Sequence, residues 1–218
     1  MATRIIILWT ILLILQSCDC TDVDEFGDRT IVEVPIESSP IQTIFSVGDT
    51  IWWSGDFSNQ VRVEGVDQRM NLESFNFFAS FGIRHIPISA ALVDSAIEVF
   101  ADTGDLTFIS ADEFLDYSIS MVESDGRFKF KFGVILRKAG TYLAGVNTLF
   151  DFDFYDHPAL YACGRTRRED FRIHYINSST DRVAYETIFE PNANPEVLGA
   201  TTFEKYAAVG SISFTVTE

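Results

Sequence analysis

Beyond residue 30 the chain alternates between apolar and polar positions. In RFKFKFGVIL, Phe128, Phe130 and Phe132 fall on one face and Arg127, Lys129 and Lys131 on the other. That period of two suits a half-buried β-strand and no helix. FNFFASFGI repeats it with Phe75, Phe77, Ala79, Phe81 and Ile83. YSISM, FRIHYI, VAYETIF and ISFTVT, near residues 117, 171, 183 and 212, read the same way. Gly and Asp punctuate the runs, and Ser124-Asp125-Gly126 between two alternating stretches predicts a tight hairpin. About nine or ten short strands predict an all-β antiparallel sandwich of two packed sheets. One segment departs from the pattern. TTFEKYAAVG offers Thr201 or Thr202 as a cap, Glu204 in the first turn and Gly210 as a stop, predicting one short helix before the last strand.

The first residues follow a different rule. IIILWTILLIL, residues 5–15, has no polar break except Thr10. As a helix it spans roughly 16 Å, about half of a ~30 Å hydrocarbon core, which is short for a membrane span and ordinary for a signal-peptide core. Arg4 before it and small Ser17 after it complete a secretory signal. The chain therefore divides into a signal peptide (1–17), an acidic N-terminal tether (18–30) and a β-sandwich domain (31–218).

Leu15-Gln16-Ser17-Cys18 resembles the bacterial lipobox, with Gln16 standing where a small residue is usual. The resemblance implies cleavage before Cys18 and lipidation of its thiolate, and two or three acyl chains give stable anchoring. Asp19, Asp22, Asp24 and Glu25 resemble the acidic export tag of Bacteroidota-type surface lipoproteins. FSVGDTIWWSGDFSNQV and KAGTYLAGV are similar to stretches of exported proteins of that type, which implies an immunoglobulin-like or related sandwich and assigns no functional residue. The competing reading is an ordinary cleaved leader with Cys18 and Cys20 kept as thiols. Cys20 and Cys163 form a candidate disulfide in an oxidising compartment, against an unpaired Cys163 in the core. Cys18-x-Cys20 alone is half of a zinc motif.

Composition narrows the partners. Twenty phenylalanines supply the core, and a body of about 200 residues buries roughly 70% of its unfolded surface without needing a staple. The formal charge of −16 makes nucleic acid a poor partner. Within LFDFDFYDHP, Asp151, Asp153 and Asp156 are candidate Ca²⁺ ligands or, at a strand edge, charges that discourage aggregation. In GRTRRED, Arg165, Arg167 and Arg168 are candidate grips for a sulfate, phosphate or uronate, with Glu169 and Asp170 at hand to neutralise them. Trp52 and Trp53 are adjacent, so in a regular strand one of them points away from the core and can stack on a sugar or dock a partner. His85, His157 and His174 lie far apart and belong to no hydrolase motif. Asn177-Ser178-Ser179 fits the N-glycosylation triplet.

The leading expectation is a lipid-anchored surface protein at the outer membrane, without enzymatic activity, serving structure, adhesion or ligand capture. Its partners are the bilayer and a surface glycan or protein, and it needs no cofactor. A carbohydrate-binding module assisted by Ca²⁺ is the second expectation. A secreted polysaccharide hydrolase using the same carboxylates is the third.

Overall fold

The computed structural model describes residues 30–65, 67, 69–86, 95–110, 115–148, 161–162, 165–166, 171–192, 202–208 and 210–218. They form two facing sheets and a small third ribbon. The larger sheet holds β1 (Thr30–Ser39), β3 (Thr50–Ser58), β4 (Gln60–Val63), β5 (Arg69–Asn71), β7 (Ile97–Thr103), β10 (Val122–Ser124), β11 (Arg127–Leu136) and β15 (Phe171–Asn177). Its order is β10–β11–β3–β1–β4–β5, with β15 added to β1 and β7 to β11. The second sheet runs β2 (Ile44–Ser46), β16 (Ile212–Thr217), β12 (Gly140–Thr148), β6 (Phe78–His85), β9 (Leu115–Ser120) and β8 (Asp105–Ser110). β13 (Tyr161–Ala162) and β14 (Arg165–Thr166) make the ribbon.

The strands exist because alternation buries one face of each. Phe128, Phe130 and Phe132 of β11 are each 2% exposed or less, while Arg127, Lys129 and Lys131 point outward. The two inner faces meet in an aromatic seam. Phe81 lies 5.3 Å from Trp53 and 4.8 Å from Phe132, and Phe77 lies 4.7 Å from Phe128 and 5.4 Å from Phe57, all edge-to-face. Such contacts add to area burial and fix ring orientation, so they set how the sheets sit on one another.

The hairpin forms where predicted. Asp125 and Gly126 take φ of 53° and 71° between β10 and β11, the left-handed pair that a two-residue turn demands. The late helix is also present, at Phe203–Ala208, with the Thr202 hydroxyl accepting from the Lys205 amide.

Three features depart from expectation. The described residues hold sixteen strands, six of them only two to four residues long. Two pairings, β1 with β15 and β16 with β2, are parallel. Finally, VAYETIF is helical: an α turn Arg182–Ala184 widens into a π turn Tyr185–Phe189 and ends at Glu190–Asn192. Asp181 caps it, accepting from the amides of Val183 at 3.1 Å and Ala184 at 3.3 Å. Tyr185 and Phe189 then pack against Tyr206 and Ala184 is buried, while Val183, which a strand would place on the same face as Tyr185, is left 61% exposed.

A buried polar knot joins the ends of β15 and β1 to the turn before β16. Asn177, 5% exposed at the end of β15, donates to the Gly210 carbonyl at 3.1 Å and to the Ser38 hydroxyl at 3.4 Å, and accepts from the Ser179 amide at 2.9 Å. Gly210 is left-handed, with φ of 56°, and a Cβ there would lie 2.9 Å from Ile36 and 3.0 Å from the Tyr175 carbonyl.

Replacing Asp181 with Ala removes two amide partners from the helical segment. We expect a loss of about 1 kcal/mol in urea unfolding with an unchanged m-value.

Candidate functional site

The outer face of the larger sheet gathers the chemistry. β3 and β11 are antiparallel neighbours, and their register sets Ser58 beside Arg127, Asp56 beside Lys129, Ser54 beside Lys131 and Trp52 beside Gly133. Since Trp53, Phe57, Phe128, Phe130 and Phe132 are held in the core, the intervening residues must face out.

At one end of this face is an aromatic cluster. Trp52, Gly133 and Phe100 are in register across β3, β11 and β7. Gly133 carries no side chain, so the Phe100 ring folds over it and meets Trp52 edge-to-face at 5.2 Å. A Cβ on Gly133 would lie 2.4 Å from the Phe100 ring. The Lys131 ammonium stands 4.5 Å from the Trp52 ring centroid and 3.0 Å from Asp102. Trp52 is therefore half-buried and clamped by a cation. Trp53 is 1% exposed and stacked on Phe132, so a ligand reaching this pair meets Trp52 alone.

At the other end is a groove of about 420 Å³. Register explains it. Ser54 pairs with Glu37 and Arg62 with Glu33, so the partner chain advances eight residues while β1 advances four. The surplus arches away between β3 and β4 and leaves an opening beside β1. Pro35, which has no N–H to leave unpaired, stands at that opening beside its register partner Ile176, and both are exposed.

Three arginines rim the groove. Arg127 donates from Nε to Asp56 Oδ1 at 2.5 Å and from an Nη to the Asp56 carbonyl at 2.9 Å. Arg62 Nε lies 3.5 Å from Glu33. Arg69 donates to the Gln60 carbonyl at 3.3 Å, and among the described residues no carboxylate pairs with it. Arg62 and Arg69 are register partners on β4 and β5, an opposition of like charges that costs a sheet stability.

Of the residues singled out from sequence, Trp52 and Trp53 fall on β3, Trp52 at this face. Arg165 lies on β14, while Arg167, Arg168, Asp151, Asp153, Asp156, Cys18, Cys20, Cys163 and His157 lie outside the described residues. His85 packs edge-on to Tyr142 at 5.2 Å and His174 Nδ1 sits 3.1 Å from Glu64. Among the described residues no three His, Cys, Asp or Glu side chains converge as a metal site. The groove arginines escaped sequence reading because their meeting depends on the β3–β4 arch. Its trace in the sequence is the Gly55-Asp56 and Ser58-Asn59 interruption of an otherwise strand-like run.

No protein-family model and no curated protein matches the chain. Among solved structures it is similar to the second type II cohesin module of the cellulosomal adaptor scaffoldin ScaA of Acetivibrio cellulolyticus, at 9% identity and TM-score 0.29, over 65% of this chain and 92% of that one. A type II cohesin domain from the cellulosome of the same organism aligns at 11% identity and TM-score 0.24, over 56% and 77%. A structure concerned with adhesion by the Fap1 fimbriae of Streptococcus parasanguinis aligns at 9% and 0.24, over 58% and 72%. Scores of this size carry no activity, partner or residue role to this chain.

Gly133→Ala pushes the Phe100 ring off Trp52. Tryptophan emission of the mature protein is expected to shift to the red, with greater acrylamide quenching and a stability loss of about 1–3 kcal/mol from overpacking.

Proposed function

We propose that the protein is an exported, lipid-anchored surface protein of immunoglobulin-like build whose sandwich captures a ligand without transforming it, using the outer face of the eight-stranded sheet. The observation that carries this reading is the combination on that face of a groove with an apolar lining, arginine forks and a clamped aromatic ring. All are borne on paired strands, and strands hold a binding geometry more firmly than loops do.

The anchor rests on Leu15-Gln16-Ser17-Cys18 and the acidic residues after it. A thioether at Cys18 would leave the acidic tether 18–30 as the link between bilayer and sandwich, and surface display would put the groove within reach of glycans or proteins outside the cell. A carbohydrate-binding role is the second reading, favoured by the half-buried Trp52 on the outer face, since aromatic rings stack on sugars. Calcium at Asp151, Asp153 and Asp156 and a Cys20–Cys163 disulfide remain proposals resting on the sequence.

Radiolabelled palmitate should enter the wild-type protein in a bacterial host and not Cys18→Ser, and intact-mass analysis should show a mature chain starting at Cys18. Label retained in the variant would remove the anchor.

A further inference from the structure

We infer that the groove between β1, β4 and β5 is an oxyanion site for an acidic oligosaccharide, with Arg69 and Arg62 as its gripping pair. The inference rests on reading the outer face as a capture surface and does not depend on the lipid anchor.

In a chain of formal charge −16, three arginines rim one small groove against two carboxylates, Glu33 and Asp56. Arg62 and Arg69 stand directly opposite each other on neighbouring strands. Like charges in that position repel, and an anion lying between them turns the cost into attraction. Among the described residues Arg69 engages the Gln60 carbonyl alone, and Arg62 one carboxylate at 3.5 Å. Each guanidinium carries five N–H donors in a planar fork, so both keep donors for a carboxylate or sulfate.

Arg69 belongs to β5, the last strand in the sheet order, but the groove opens over the face of the sheet, where side chains rather than a ladder of free backbone groups are presented. Peptide strands are recognised by such ladders. What is presented is the exposed Pro35–Ile176 surface beside Ser58, Gln60 and the arginine forks. That mixture suits a ring with an apolar face, hydroxyls on its rim and an acid group. Trp52 lies on the same side of β3 as Asp56, four residues along and about 13 Å away, and offers a further stacking surface to a chain that continues past the groove.

Titration calorimetry on the mature protein tests this with oligogalacturonate, a sulfated oligosaccharide, a neutral oligosaccharide of equal length and poly-L-glutamate. Oligogalacturonate or the sulfated sugar should bind, more weakly as salt is raised, with at least a roughly tenfold loss in Arg69→Gln. The same variant should melt no lower than wild type without ligand, since it relieves the Arg62–Arg69 repulsion. That result separates lost recognition from lost folding. The inference falls if neither acidic sugar binds at millimolar concentration, if Arg69→Gln leaves affinity unchanged, or if poly-L-glutamate binds as tightly. Binding of the neutral sugar that responds to Trp52→Ala and not to Arg69→Gln would keep the capture reading and discard the oxyanion site.

Discussion

The seam of aromatic rings between the two sheets is the constraint from which the outer face follows. Trp53, Phe57, Phe128 and Phe132 of the larger sheet interlock with Phe77 and Phe81 from the other side. A strand has a period of two, so holding these rings inward leaves no choice about their neighbours. A slip of one residue in β3 or β11 would bury Asp56 or Lys129 and expose the rings, which is prohibitive. The outward display of Trp52, Asp56, Arg127 and Lys131 is thus a by-product of core packing, and it inherits the core's rigidity.

Onto that scaffold the arch between β3 and β4 adds shape. Continuous pairing of the two strands along β1 would give a flat face; the additional residues instead open a recess at Pro35. The ion pairs around it are exposed, with the Arg62 side chain at 68% and Arg127 at 46%. Exposed pairs contribute only about 0–1 kcal/mol, so their partners can be exchanged for an incoming group at little expense to the fold. Net acidity elsewhere on the chain sharpens the contrast, because a polyanion is repelled generally and admitted locally.

Much of the sandwich was legible because alternation is a local signal: β11, β9, β15 and β16 follow directly from their patterns, and the Asp125-Gly126 turn from its residue types. The segment at Arg182–Phe189 was misread because VAYETIF has strand propensity, while its helical state is decided by the Asp181 cap and by burial against Tyr206, a contact far along the chain. The same distinction governs the candidate site. That one tryptophan of the Trp52-Trp53 pair faces outward follows from periodicity, but which one requires knowing that Phe81 and Phe132 lie opposite. The meeting of Arg62 with Arg69 requires a register that turn residues alone do not encode. Nor does sequence tell that Gly133 serves to let the Phe100 ring reach Trp52.

The knot at Asn177 bears on how the molecule can be made. Its side-chain amide is spent on Gly210, Ser38 and Ser179 inside the protein, yet the triplet Asn177-Ser178-Ser179 is what a eukaryotic oligosaccharyltransferase reads on a nascent chain before folding hides it. A glycan attached at that moment would keep the end of β15 from closing onto the last residues of β1. Production in a bacterial cytoplasm or periplasm avoids the lesion, whereas removing the sequon for a yeast or insect host disturbs the same knot, since the Ser179 hydroxyl donates to the Ser38 carbonyl at 2.6 Å and accepts from the Ser38 amide at 3.3 Å.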